Sequence, residues 1–185
     1  MVSILEASRL MLEAFSSTKQ RAMRKATGII LNAVALDFSE ELYHLAVYSY
    51  VLSKILSKPK FMGRMYQEKR NEIKLLLYQL VSHAQKNRKK EFSSTLALLE
   101  KTVVDVEAPD ARYIQTMVEK GKLKTAANLY AHGLSLSRAA QMTGVEKQEI
   151  MDYAGKTRMF ERIEDSVTLA QRIKIASRVL TGDAA

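Results

Sequence analysis

Cysteine is absent from this chain. Disulfides, thiolate catalysis and cysteine-based zinc or iron–sulfur sites are therefore excluded. Only two prolines and seven glycines punctuate the 185 residues. Ala, Leu, Lys, Glu, Met and Arg dominate what remains, a composition that favours helix throughout. No stretch sustains the alternation of apolar and polar residues that a strand needs, so no sheet is expected. The longest apolar stretches fall far short of a membrane span. The first fifteen residues have no basic n-region and carry Glu6, Arg9 and Glu13 at helical intervals, unlike a secretory signal. A cytoplasmic protein with no membrane partner is the expectation. His44, His83 and His132 are widely separated and have no ligand spacing, so no metal is expected. Phosphate-binding glycine loops, a Gly-x-Ser-x-Gly elbow and a paired-acid constellation are missing too. Neither an enzyme nor a cofactor is expected.

Positive charge is plentiful. The chain carries a formal net charge of +9 and has a sequence pI near 9.7, which points toward nucleic acid or another anionic partner. Apolar residues at three- and four-residue steps predict helices over Ile4–Phe15, Lys19–Leu36, Glu40–Ser57, Arg64–Lys86 and Phe92–Val106. The apolar residues of 40–57 cover more than one face, as expected of a helix central to a bundle. Lys58–Pro59 ends that helix, and Lys86–Lys90 reads as a basic loop or helix end. Glu107–Asp110, with Pro109, is the candidate boundary between a helical bundle (1–108) and a C-terminal region (109–185). In the latter, Asp110 caps a helix over Ala111–Lys120 and a long terminal helix is expected over Ile163–Leu180. The architecture is therefore all-α: an N-terminal helical bundle, a helix-turn-helix region and a terminal helix.

Residues 126–159 hold the most informative pattern. A supporting helix over Thr125–His132 is closed by Gly133, and Ser135 or Ser137 caps the next helix, Leu136–Thr143. Gly144 and Val145 make the turn, where a positive φ suits glycine. Glu146–Ala154 is the second helix. Ala140 is small where the two helices cross, and Ala139, Val145, Ile150 and Tyr153 form the apolar seam. The run Ala126, Leu129, Tyr130, Gly133, Leu134, Ser135, Leu136, Ala139, Ala140, Gly144, Val145 and Ile150 resembles the helix-turn-helix domains of prokaryotic transcription regulators. It is most similar to small regulators encoded beside PIN-domain toxins. The resemblance covers residues 123–159 only.

That resemblance implies a DNA-binding transcriptional regulator, with base edges meeting the start and outward face of the second helix at Glu146, Lys147, Gln148, Met151 and Asp152. Gln148 suits adenine, and Lys147 suits guanine or a phosphate. Lys120, Lys122, Lys124, Arg138, Lys156 and Arg158 are the candidate phosphate contacts. Glu146, Glu149 and Asp152 place three acids on the same short helix, opposing a polyanion. They support a rival reading as a protein-interaction module, an antitoxin or assembly adaptor, that docks a basic protein. A further alternative is RNA binding through the basic loops Lys86–Lys90 and Lys58, Lys60, Arg64, with Phe61 and Tyr66 interleaved as stacking candidates. The N-terminal half also resembles the HEPN ribonuclease bundle, but no histidine here has the Arg four to six residues earlier that its motif requires. The breadth of the apolar faces suggests self-association, and a homodimer is expected.

Overall fold

Serine caps and left-handed turns set many of the helix limits. The computed structural model describes residues 2–107 and 114–162. Among these residues every regular element is a helix, and the fold is all-α. The Ser3 hydroxyl accepts the Glu6 N–H at 3.2 Å and starts α1 (Ile4–Ser16). α2 (Gln20–Leu36) follows without a side-chain cap. Ser39 caps α3 (Glu40–Ile55) through the Leu42 N–H. Such a cap fills one of the donors that a helix start leaves open and contributes about 1 kcal/mol. The chain continues through α4 (Pro59–Met62), a 3₁₀ turn at Arg64–Tyr66, α5 (Gln67–Gln85) and α6 (Lys89–Glu107). Then come α7 (Ile114–Ala131), α8 (Leu136–Thr143), α9 (Lys147–Lys156) and α10 (Met159–Arg162).

α3 is the axis, as its apolar breadth suggested. Leu45, Ala46, Val51 and Leu52 have no exposure, and the helix packs against α1, α2, α6 and α7. α7 is the second organising helix. It lies on α2 and α3 and also carries α8, α9 and α10. The core is accordingly continuous. Ala126, Leu129, Ala139, Ile150 and Ala154 belong to the same buried cluster as Met11, Ile30, Leu52 and Leu77. Tyr43, on α3, adds a polar tie by donating its hydroxyl to the Thr143 carbonyl at 3.2 Å. Burial pushes its pKa up to about 12.

Three expected helix limits are corrected. First, Arg64–Lys86 is not one helix, because Arg64–Tyr66 forms the 3₁₀ turn and α5 starts at Gln67. Phe61 and Tyr66 meet edge to face at 5.2 Å, and Arg70 donates to the Phe61 and Gly63 carbonyls, which holds this corner. Second, the basic run Lys86–Lys90 is divided. Asn87 takes the left-handed φ of +52° that ends α5, while Lys89 and Lys90 already belong to α6. Third, Ala111–Lys120 and Thr125–His132 are not separate helices, since α7 runs unbroken through Gly121. A Cβ there would lie 3.2 Å from both Val47 Cγ1 and the Val47 carbonyl oxygen. Gly121 is thus the point of close approach to α3 and not a break. The Pro109 boundary and the Ile163–Leu180 helix lie outside the described residues. No helix among the described residues is long and apolar enough to cross a membrane.

Candidate nucleic-acid interface

The sequence around α8 and α9 dictates its own turns. Gly133, at φ +99°, closes α7. Its N–H bonds to the Tyr130 carbonyl at 3.0 Å and the Leu134 N–H bonds to Leu129 at 3.2 Å, the paired bonds of a Schellman end. Ser135 then caps α8 by accepting the Arg138 N–H at 3.2 Å. α8 ends at Gly144, which has φ +69° and donates to the Ala140 carbonyl at 2.9 Å. α9 begins one residue later than expected, because Glu146 has extended backbone and its side chain caps nothing. The Thr143 hydroxyl contributes by accepting the Val145 N–H at 3.4 Å across the turn.

α9 has two distinct sides. Ile150 and Ala154 are wholly buried and seat the helix on α7 and α8. Glu146, Lys147, Gln148, Glu149, Met151 and Asp152 are all exposed, with Met151 at 45%. The Gln148 amide donates to Asp152 at 2.8 Å. That bond uses one of two amide hydrogens and leaves the second hydrogen and the carbonyl oxygen, the pair that an adenine edge requires.

The candidate phosphate contacts divide into separate groups. Lys120 and Lys122 line a cleft of about 480 Å³ together with Gly144, Val145 and Glu149, so α7 brings them beside the α8–α9 turn. Lys124 is directed elsewhere, with its ammonium 4.9 Å from the centre of the Tyr50 ring on α3. Arg138 is exposed on α8 and donates to Gln141 at 3.1 Å. Lys156 and Arg158 are exposed at the far end of α9, where Arg158 adopts φ +48°.

The remaining basic clusters do not form stacking surfaces. Phe61 and Tyr66 are only 3% and 6% exposed, and Lys58 and Lys60 lie over the Phe61 ring at 5.5 and 5.8 Å. Tyr43 and Tyr48 are buried, and the Tyr43 hydroxyl is the one that reaches Thr143. Burial, reinforced by the nearby Glu100 carboxylate, raises the Tyr48 pKa. His44 stacks on Tyr48 at 6.0 Å. These two residues face a cleft of about 260 Å³ edged by Glu40, Glu41 and Glu100. Among the described residues, no three His, Asp or Glu side chains are placed to hold a metal ion.

No protein-family model, curated protein or solved structure matches the chain. The reading of this surface therefore rests on its chemistry.

Proposed function

We propose that the chain is a double-stranded DNA-binding transcriptional regulator in which α8 and α9 act as a helix-turn-helix and α9 enters the major groove. One observation carries this reading: α9 is held from behind by Ile150 and Ala154 while Lys147, Gln148, Met151 and Asp152 form an exposed outward row. A helix supported on one side and bare on the other fits the major groove, which is about 12 Å wide. In this reading Gln148 reads adenine, Lys147 reaches guanine or phosphate, and Lys120 and Lys122 hold the backbone beside the turn. Two-fold pairing would set two such helices about one DNA turn apart. Fluorescence anisotropy with labelled duplex from the protein's own upstream region tests it across a salt titration. Submicromolar binding that weakens steadily with salt supports the reading. Absence of binding at low salt, or an affinity indifferent to salt, refutes it.

The acids give a second reading specific support. Glu146, Glu149 and Asp152 are exposed on α9, so a basic protein partner would be attracted where DNA is repelled. Charge reversal separates the two. Glu149→Lys with Asp152→Lys should tighten a DNA complex by relieving repulsion, and should abolish docking of a basic protein.

A further inference from the structure

A cleft of about 400 Å³ opens at one end of the bundle, where α1, α3 and α6 begin and α5 ends. Its lining is predominantly apolar, and Ile4, Leu5, Ala84 and the buried ring of Phe92 supply most of that character. No lining residue belongs to α7, α8 or α9, so the cleft is separate from the surface proposed to meet DNA.

Local structure places the charged groups. α5 ends in a turn with paired bonds: the Arg88 N–H donates to the His83 carbonyl at 3.0 Å and the Asn87 N–H to the Ala84 carbonyl at 3.3 Å. That turn holds the backbone of Arg88 beside His83, and Lys89 follows as the first residue of α6. Both cations line the cleft, and among the described residues neither has a carboxylate within ion-pair distance. Glu41 lines it too, so the lining carries one excess positive charge. His83 adds a donor. Its Nδ1 is buried and has no hydrogen-bond partner, so no bond at that atom fixes the ring, and even a neutral imidazole keeps one N–H to donate.

Few polar groups converging on an apolar cleft of this size are the usual makings of a small-molecule site, and the volume suits a ligand on the order of ten non-hydrogen atoms. The two kinds of lining select its chemistry. A bare inorganic anion would leave the apolar wall wet, and a neutral hydrocarbon would leave the cations unused. We propose that this cleft binds a small organic monocarboxylate, with its apolar body on Ile4, Leu5 and Phe92 and its carboxylate met by Arg88, Lys89 and His83. The planar guanidinium of Arg88 can give a carboxylate two parallel N–H bonds. Glu41 opposes a second negative charge on the ligand.

Amide NMR titrations of the full chain with octanoate, octanol and acetate test it, with no DNA present. Octanoate should bind with a Kd below about 1 mM, a modest demand on ten atoms. It should shift the signals of Ile4, Ala84, Arg88, Lys89 and Phe92. Octanol, which lacks the charge, and acetate, which lacks the body, should each bind more weakly. Arg88 and Lys89 are exposed, so Arg88→Gln/Lys89→Gln should keep the wild-type urea midpoint while weakening octanoate about ten-fold. Ala84→Leu, which puts a larger side chain into the cleft, should abolish the shifts, and the Gln pair decides even where that variant disturbs packing. Three results overturn the proposal: no saturable shift at these residues, octanol binding as tightly as octanoate, or wild-type octanoate affinity in the Gln pair. None of them alters the reading of α9, which duplex binding tests by itself.

Discussion

Substituting alanine at two helical glycines should have opposite effects. Gly28 lies within α2, where an added Cβ would meet nothing within 4 Å, whereas Gly121 lies within α7 at its crossing with α3. Alanine is favoured over glycine inside a helix by roughly 0.5–1 kcal/mol. Gly28→Ala should gain that amount. At Gly121 the new methyl would sit 3.2 Å from Val47 Cγ1 and the Val47 carbonyl, and 3.4 Å from Tyr50 Cδ1. Ordinary contact needs a few tenths of an ångström more, and the carbonyl belongs to the most buried helix of the fold, so α7 must move. Overpacking of this kind costs about 1–3 kcal/mol. Set against the propensity gain, Gly121→Ala should lose roughly 0–2 kcal/mol. Gly121→Val should lose more, because valine adds bulk and is a poorer helix former than alanine. Urea unfolding followed by circular dichroism measures each midpoint, and unchanged m-values would show that only stability moved. If Gly121→Ala were as stabilising as Gly28→Ala, α7 would not cross α3 at this point, and the gathering of Lys124 with Tyr50 would lose its basis.

Tyr43→Phe should cost about 1–2 kcal/mol, since it leaves the Thr143 carbonyl without its donor. The Tyr43 pKa is raised in the folded state to about 12 from 10.0. Its contribution is therefore complete below pH 10 and is lost as pH rises toward 12, so the variant should show a shallower alkaline loss over that window than wild type. Gly144→Ala places a Cβ at φ +69° and should cost about 1–2 kcal/mol in thermal unfolding. If the loss is negligible, the left-handed turn between α8 and α9 is wrong. Ile150→Ala empties a fully buried site beneath α9 and should cost about 2–5 kcal/mol. Amide exchange should rise most in α9 while α3 stays protected; uniform exchange would mean that α9 is not a separately opening unit.

The outward face of α9 was legible in the sequence, because its positions follow from helical periodicity and from one glycine. Ser135, Gly144 and Ile150 each act locally. A hydroxyl caps the next turn, a residue without a Cβ turns left, and an apolar side chain at the right interval faces inward. The same local reasoning placed α3 at the centre from the breadth of its apolar surface. It failed at Gly121, where local propensity suggests an interruption and a crossing helix instead makes glycine necessary.

Partnership was beyond the sequence. Tyr43 and Thr143 are 100 residues apart, and nothing in either neighbourhood announces a bond between them. Lys124 looked like a companion of Lys120 and Lys122, yet it reaches Tyr50. Composition and spacing determined that the protein is helical and basic, with a serine-capped α8 that ends at a left-handed glycine, because those properties arise within a few turns of chain. Tertiary structure alone decided which charges face one another, because electrostatic proximity depends on distance through space.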